Sequence, residues 1–253
     1  MGCSSPDSNL NRIEREMRWV RLLSDLLFPR ICAVCGVPLN CHEQHFCLEC
    51  FADMPLTYFW NMEETPAERV FWGRCSIERV YSLFYYTNNW RKPVHTIKYK
   101  GNTRLGIHLG KMLGEKILST AGTAPFDYIV PVPLHWRKKY KRGYNQCEII
   151  AKGVNQAFLL PDSYLPEAKI LSNLLRRKSF TATQTAKDRI HRWHNVSGAF
   201  ELNPHCKKRP PAGSHILLID DVLTTGATLE VCASILVEQL GCKVSIATLA
   251  YVE

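Results

Sequence analysis

The feature of this sequence that most constrains its fold is an aliphatic run that ends in two carboxylates. Residues 215–219 read His-Ile-Leu-Leu-Ile, and Asp220 and Asp221 follow directly. A short apolar run without alternation is typical of a strand buried on both faces, and such strands occur in parallel sheets that helices cover. We therefore predict an α/β protein.

Other segments repeat this alternation of strand and helix. The predicted strands lie at residues 77–87, 128–130, 215–219 and 244–249, and the predicted helices at about 95–116 (with a turn at 100–102), 145–158 and 229–240. Strands that alternate with helices along the chain favour a parallel sheet with helices on both faces.

The loop after the aspartates has the composition of an anion site. Thr224, Thr225 and Thr228 supply hydroxyl donors, and Gly226 lets the backbone come close to a ligand. The loop opens a helix whose first amides lack partners, at the sheet edge where α/β proteins bind ligands. The simpler alternative is that the aspartates end a strand and Thr228 caps a helix.

A second candidate site follows the strand predicted at 128–130. Pro131, Val132 and Pro133 form a rigid turn, and five cations lie between positions 137 and 142, the last of them Arg142. We predict that this basic loop places positive charge beside the strand ends, where an anionic ligand would lie.

The same basic segment is also a candidate nucleic-acid surface. Trp136, Tyr140 and Tyr144 are interleaved with its cations. Cations neutralise phosphates and aromatic rings stack on bases, so this combination is typical of single-stranded DNA binding. A diphosphate ligand nearby is an equally good reason for the cations.

The polar and basic segment 174–195 is predicted to be a loop. Arg176, Arg177 and Lys178 are its candidate catalytic cations. A lid that closes over a site excludes water and can bring positive charge to a leaving group. An ordinary solvated loop is the alternative.

Two C-x-x-C pairs lie near the N-terminus: Cys32 with Cys35, and Cys47 with Cys50. Four thiols in two pairs match the tetrahedral ligand set of structural zinc, whereas either pair by itself would also suit a redox dithiol. Substitute ligands between the pairs would be Cys41, His42 and His45. The remaining cysteines are predicted to be ordinary small core or surface residues: Cys3, Cys75, Cys147, Cys206, Cys232 and Cys242.

The chain divides into three predicted parts, residues 1–28, 29–55 and 70–253. The first holds a polar tail and an amphipathic helix from Leu10 to Leu27, which packs on the body of the protein or binds a partner. The second is the four-cysteine module. A linker containing Pro and Glu, at about 54–68, leads to the third part, the α/β domain.

Basic residues outnumber acidic ones by 32 to 23 and give the 253-residue chain a formal net charge of +9. This excess favours an anionic partner, either a phosphorylated metabolite or a nucleic acid. The N-terminus lacks the apolar stretch of a signal peptide, and no segment approaches the roughly 18 apolar residues of a membrane span. We expect a cytoplasmic protein without a membrane span.

The strand, acidic pair and Thr-Thr-Gly-x-Thr loop resemble the signature of phosphoribosyltransferases. This resemblance implies a type I phosphoribosyltransferase fold that binds 5-phosphoribosyl-1-pyrophosphate with Mg²⁺. Asp220 and Asp221 would contact the ribose 2′ and 3′ hydroxyls, and the segment from Leu223 through Ala227 to Thr228 would surround the 5-phosphate. The turn at 131–133 would be the pyrophosphate loop, and 174–195 the flexible lid.

The motifs together resemble the ComF family over residues 29–253. ComF proteins are linked to DNA uptake in natural competence and look like amidophosphoribosyltransferase without its glutaminase domain. Besides the four cysteines and residues 220–228, the motifs that carry this resemblance are Phe71-Trp72-Gly73-Arg74, Ile97-Lys98-Tyr99-Lys100-Gly101, Pro131-Val132-Pro133-Leu134, Arg142-Gly143-Tyr144-Asn145-Gln146, and Gln184-Thr185 with Arg189 and Asn195.

Three functions are compatible with these motifs. The first is a phosphoribosyltransferase, which would replace pyrophosphate at C1 of the ribose by an acceptor that the sequence does not identify. The second is a ligand sensor that uses the same pocket without turnover. The third is an adaptor whose zinc module and basic loop handle single-stranded DNA together with DNA-processing proteins.

Overall fold

The computed structural model describes residues 29–120, 126–159, 168–178 and 198–253. Within these ranges no helix is both long and apolar enough to cross a membrane. The chain divides into two compact units, Met1–Met54 and Pro55–Glu253. The predicted N-terminal tail and helix lie outside the described residues, and so does most of the predicted lid, residues 179–195.

The described part of the first unit is a short module built on tight turns. An antiparallel bridge joins Ile31 and Pro38. Between them the Gly36 N–H donates to the Cys32 carbonyl at 3.0 Å, and the left-handed φ of 86° at this turn is one that glycine adopts without strain. A short helix, α1 (Leu48–Ala52), begins directly after Cys47.

The second unit is built on a parallel sheet. Its strands are β1 (Val80–Tyr85), β2 (Tyr128–Pro131), β3 (Lys169–Ile170), β6 (His215–Leu223) and β7 (Lys243–Tyr251), while β4 (Leu175–Arg177) and β5 (Phe200–Leu202) form a separate antiparallel pair. The order in the sheet is β1-β7-β6-β2-β3, and every neighbouring pair is parallel. The predicted α/β fold with a parallel sheet is therefore confirmed.

Helices cover both faces of this sheet. The helices of the second unit are α2 (Pro66–Arg69), α3 (Arg91–Tyr99), α4 (Thr103–Leu118), α5 (Trp136–Arg142), α6 (Gln146–Phe158) and α7 (Ala227–Leu240). Helices α4 and α6 pack on one face and α7 on the other. A Cβ at Gly153 of α6 would lie 2.1 Å from the Ile107 carbonyl oxygen of α4, so this helix contact depends on glycine.

The first strand of the sheet pairs with the last. Val80 lies opposite Ile246, and the buried Ser82 and Thr248 hydroxyls are joined by a hydrogen bond of 2.7 Å. On the other side of β7, Thr248 lies opposite Asp220 of β6. Because parallel strands end at the same edge, the acidic pair and the turn after β2 lie at the carboxyl edge of the sheet.

The segment predicted as a linker is packed into the second unit from Pro55 onward. Phe59 and Ala67 belong to its core, with 2% and 0% of their surface exposed. Thr65 and Glu68 form a capping box at the start of α2. The prolines and glutamates that suggest a linker lie instead around the start of a capped helical turn. Composition alone does not distinguish a capped helix start from a linker.

Candidate functional site

The two aspartates lie at the carboxyl end of β6. Asp221 is buried, with 6% of its surface exposed, and its N–H donates to Asp220 Oδ1 at 2.8 Å. The other carboxylate oxygen, Asp221 Oδ2, is buried and has no hydrogen-bond partner among the described residues. A buried oxygen without a partner is costly, so this atom can gain a ligand hydroxyl or a cation.

A pocket of about 210 Å³ opens beside the pair, lined mainly by Asp220 and residues 224–229. Its loop turns at Gly226, where φ is 73° and a Cβ would lie 2.7 Å from Val70 Cγ1. Both the turn and the close packing therefore require glycine. The structure brings the predicted loop residues together except Leu223, whose side chain is fully buried in the core.

A cation of the chain itself reaches the acidic pair. Lys98 of α3 places its Nζ 2.8 Å from Asp221 Oδ1, and the two side chains are only 24% and 8% exposed. Burial lowers the pKa of a lysine, but the attraction of Asp221 outweighs it and raises the pKa of Lys98. Lys98 is missing from the predicted site, and its one signal in the sequence is its place in the Ile97-to-Gly101 motif.

Cys147 is a second neighbour of the pair that the predicted site lacks. It is a core residue, as expected, but its Sγ also donates to Asp220 Oδ1 at 3.2 Å. Burial and the charge of Asp221 raise the pKa of Asp220 to about 7. Burial and the two aspartates also raise the pKa of Cys147, which leaves a neutral thiol that can donate. Ligand atoms of these three residues lie within 4.8 Å of one another.

The turn predicted to bind pyrophosphate follows β2, next to the acidic strand. Pro131 lies opposite Ile219 of β6. The Val132 N–H donates to the Ile219 carbonyl at 2.9 Å, and the Val132 carbonyl accepts from Asn145 Nδ2 at 2.9 Å. Both the N–H and the carbonyl of Val132 are therefore already hydrogen-bonded within the protein. None of the three turn residues 131–133 lines the pocket beside Asp220.

The basic loop predicted at 137–142 is instead a helix, α5. His135 caps its start, since its Nδ1 accepts from the Arg137 N–H at 3.2 Å. Gly143, with φ of 84°, ends it in the left-handed conformation. Lysine and arginine favour helix, but the segment lacks the apolar periodicity by which helices are predicted.

The outer surface of α5 carries two aromatic rings. Trp136 is 65% and Tyr140 89% exposed, and residues four apart lie on the same face of a helix. Tyr144 differs from the prediction, because it is half-buried and its hydroxyl donates to a backbone carbonyl of α3. The Arg142 guanidinium carbon lies 5.4 Å from the centre of the Tyr99 ring, and Arg142 does not line the pocket.

The start of the predicted lid is a strand, because β4 pairs with β5 and residues 174–175 are buried. Successive side chains of a strand point to opposite faces, which separates the three predicted catalytic cations. Arg176 and Lys178 both pair with Glu201. Arg177 is half-buried on the other face, 5.1 Å from the centre of a phenylalanine ring.

The charge of Arg177 interacts with that of Asp220 and with nearby basic residues. After burial, which is the larger cause, Arg177 lowers the pKa of both His135 and Lys138. Burial lowers the pKa of Arg177 itself, while Cys232 and Asp220 oppose that shift. Arg177 is therefore near enough to the acidic pair to interact with it electrostatically.

Arg74 holds the pocket loop from outside. Its NH1 donates to the Thr225 carbonyl at 3.2 Å and lies 3.5 Å from Glu230 Oε2. Glu230 is buried, with 6% exposed, so this contact ties the loop to the first turns of α7. The predicted site lacks Arg74, which ends the Phe71-Trp72-Gly73-Arg74 motif.

The first unit gathers the four predicted zinc ligands. The sulfur atoms of Cys32, Cys35, Cys47 and Cys50 all lie within 4.8 Å of one another, and those of Cys35 and Cys47 are 3.7 Å apart. Among the described residues of the module, no further cysteine or histidine joins this cluster.

The thiols of this cluster do not ionise alike. Burial opposes ionisation of Cys32, but backbone hydrogen bonds, the largest from Cys35, outweigh it and lower its pKa to about 6. Burial and the neighbouring thiols raise the pKa of Cys50. Four adjacent thiolates would repel one another unless a dication held them, and a set of four sulfur donors this close together fits zinc.

Comparison with known proteins agrees with this geometry. The Phosphoribosyl transferase domain family matches residues 170–253, which include β6, the pocket loop and α7. DNA utilization protein YhgH of Salmonella typhi is 30% identical over 173 residues, 65% of this chain and 70% of that protein. YhgH of Escherichia coli K12 is 26% identical over 223 residues, which are 83% of this chain and 92% of that protein. Competence protein F of Haemophilus influenzae is 23% identical over 208 residues, 81% and 77%.

The fold and the relatives point to the same family. The parallel sheet ends in the acidic pair and phosphoribosyltransferase loop that the sequence motif predicts, and the matched domain covers this element. The relatives bear competence and DNA utilization names and cover most of the chain. The chain belongs to the ComF family of proteins with a phosphoribosyltransferase fold.

Proposed function

We propose that this protein binds 5-phosphoribosyl-1-pyrophosphate with Mg²⁺ in the pocket beside Asp220 and Asp221. The observation that carries the proposal is the buried Asp221 Oδ2, which lacks a partner among the described residues next to a loop rich in hydroxyls. A ribose offers two adjacent hydroxyls to a carboxylate pair, and a phosphate accepts from hydroxyls and amides at the start of a helix.

The parts of the ligand follow the elements of the site. Asp220 and Asp221 accept hydrogen bonds from the ribose 2′ and 3′ hydroxyls, and residues 224–228 surround the 5-phosphate. The diphosphate lies toward the turn at 131–133, at the neighbouring strand end. The Val132 N–H already has a hydrogen-bond partner. We therefore propose that Arg177 and the metal neutralise the negative charge of the diphosphate.

Magnesium fits the acidic pair. Mg²⁺ is commonly bound by one or two carboxylates together with ligand phosphates, and a thiol such as Cys147 is a poor ligand for it. When bound, the ion neutralises negative charge on the diphosphate leaving group. Lys98 forms an ion pair with Asp221, and the Cys147 thiol orients Asp220 through its hydrogen bond.

The reaction that would follow binding is replacement of pyrophosphate at C1 of the ribose by a nucleophile. The acceptor is unidentified, and a sensor that binds without turnover is the alternative. A screen for pyrophosphate release in the presence of purines, pyrimidines, ammonia and amines distinguishes these two functions. Release above the acceptor-free rate supports a transferase.

Titration calorimetry tests the binding proposal. Replacing Asp220→Ala together with Asp221→Ala removes both ribose contacts, and each charge-assisted hydrogen bond contributes roughly 1.5–3 kcal/mol, so we expect at least about a hundredfold loss of affinity. The control Glu115→Ala with Glu238→Ala removes two exposed carboxylates elsewhere. If the aspartate variant binds as tightly as the parent, the pocket is wrongly assigned.

We also assign a structural zinc ion to the four-cysteine cluster, since the donor set and the sulfur spacing suit it. The module is too short to bury much core, so a metal would supply most of its folding free energy.

A second function, single-stranded DNA binding, is favoured by the exposed rings of Trp136 and Tyr140 among the cations of α5. The names of the relatives point in the same direction. We expect Trp136→Ala with Tyr140→Ala to weaken binding of a labelled oligonucleotide, because stacking contributes roughly 1–3 kcal/mol per base.

The matched control replaces two exposed rings outside α5, Tyr58→Ala with Trp72→Ala. Affinity for DNA should also fall steeply with salt, through release of counterions. Anisotropy that stays flat at low salt would remove this function from α5.

A further inference from the structure

A second pocket lies at the edge strand β3, on the face of the sheet that α7 covers. Its volume is about 680 Å³, within the range of roughly 300–1,000 Å³ typical of small-molecule sites. Tyr128 of β2 and Leu171 after β3 supply apolar surface to it and pack in the same core as α7. It shares no lining residue with the pocket beside Asp220, so it is a separate site.

Four exposed cations line this pocket: Lys169, Lys207, Lys208 and Arg209. Among the described residues that line it, none is an aspartate or glutamate. Within the described ranges, none of the four cations forms an ion pair. Like charges around a concavity raise the local concentration of anions. The pocket is therefore a compact positive site.

The wall that carries three of these cations is held in place. Cys206 is buried, and its Sγ contacts Asn173 Oδ1 at 3.5 Å and the Lys208 carbonyl at 3.2 Å. Asn203 Nδ2 donates to the Asn173 carbonyl at 3.0 Å. These contacts fix residues 207–209 against the segment that follows β3, which lowers the entropic cost of binding a ligand there.

From this arrangement we infer that the β3-edge pocket binds a nucleoside triphosphate, a function separate from the proposed binding of phosphoribosyl pyrophosphate. The four cations match the charge of a triphosphate, and a base can pack on Tyr128 and Leu171. A nucleic acid strand spreads its charges along an extended backbone, so a bounded pocket with clustered cations suits it less well.

Calorimetry with ATP, GTP, CTP and UTP on the full chain tests this inference. Lys207→Glu with Lys208→Glu should weaken binding at least about tenfold, as expected for loss of charge-assisted contacts. Inorganic triphosphate should bind the parent more weakly than the nucleotides and should lose affinity in the same variant. Tyr128→Leu should weaken nucleotide binding but leave inorganic triphosphate binding unchanged, which shows that the variant is folded.

The control Lys116→Glu with Lys152→Glu makes the same change of charge on α4 and α6 and should leave nucleotide affinity within about twofold. The Asp220→Ala, Asp221→Ala variant should also bind nucleotides normally, which separates this site from the proposed function. Unchanged affinity in the Lys207, Lys208 variant overturns the inference. So does an oligonucleotide that binds through these lysines and is not displaced by nucleotide.

Discussion

The two clusters of ionisable groups in this protein differ in the source of their compensating charge. For Cys32, Cys47 and Cys50, the main causes of the pKa shifts are burial, backbone hydrogen bonds and the neighbouring thiols. At the acidic pair, Lys98 lies 2.8 Å from Asp221. We therefore expect the cysteine cluster to rely on a bound metal ion, whereas Lys98 of the chain itself partly neutralises the acidic pair.

This difference suits two different roles. A cluster that cannot be neutralised without metal binds the metal permanently and folds around it. A carboxylate pair that already has a cation, such as Lys98, needs no bound ligand for the protein to stay folded. When a ligand enters with a metal ion, the ion can replace the lysine as the positive partner of the pair. We expect the following changes to separate these two behaviours.

Removal of the metal should have the largest effect. Binding of zinc to such modules is worth roughly 10–16 kcal/mol, so Cys47→Ser with Cys50→Ser should lose both the ion and the order of residues 29–54. Elemental analysis should find one zinc per chain in the parent and none in the variant. Cys41→Ser, an exposed cysteine outside the cluster, should keep it. Full zinc content in the double variant would place the ligands elsewhere.

Lys98→Met should make the acidic pair as dependent on an external cation as the cysteines. Breaking a buried pair leaves an uncompensated charge, so we expect a loss of about 4 kcal/mol in the free energy of unfolding, measured with urea. Lys98→Met combined with Asp221→Leu should recover most of this loss, because neither charge is then buried. A single variant as stable as the parent would show that Lys98 is not the compensating charge.

The protonation of Asp220 should make stability depend on pH. Burial raises its pKa in the folded state from 3.8 to about 7, so between these values the folded protein holds more protons than the unfolded chain. This contribution is fully present below about pH 4 and is lost as the pH rises to about 7, and its size is of the order of 4 kcal/mol. The difference in unfolding free energy between the parent and Asp220→Asn should change across this window; a constant difference would contradict the shift.

The smallest effects concern the cations of β4. Arg177→Met should weaken binding of phosphoribosyl pyrophosphate about tenfold, because the charge of Arg177 interacts with that of Asp220. Arg176→Met should change affinity less than twofold and stability by less than about 0.5 kcal/mol, since its pair with Glu201 is largely exposed. Equal losses of affinity in both variants would contradict the placement of Arg176 and Arg177 on opposite faces of β4.

The acidic pair and its loop could be predicted because the signal is local. A continuous apolar strand, two aspartates and Thr-Thr-Gly follow one another in the sequence, and hydrophobic pattern and glycine conformation determine each step. The four cysteines are predictable for the same reason, since their spacing is a ligand geometry. The sequence motif thus contained the centre of the site.

Lys98 and Cys147 could not be predicted in the same way. Both reach the aspartates through tertiary packing of helices far from β6 in the chain, and no local pattern encodes such a contact. The separation of Arg176 from Arg177 depends on β4 being a strand, which its basic composition hides. Helix α5 is not predicted from the sequence because it lacks apolar periodicity, although His135 and Gly143 mark its ends.

The pairing of β1 with β7 has a consequence for synthesis of the chain. Val80 pairs in the sheet with Ile246, and the Ser82 hydroxyl forms its hydrogen bond with Thr248. Both partners lie near the C-terminal end of the sequence. A ribosome therefore releases β1 long before β7 exists, and until then the first strand has an unpaired edge that can pair with other chains. Completion of this sheet must follow translation of β7, and a non-local pairing of this kind makes folding slow.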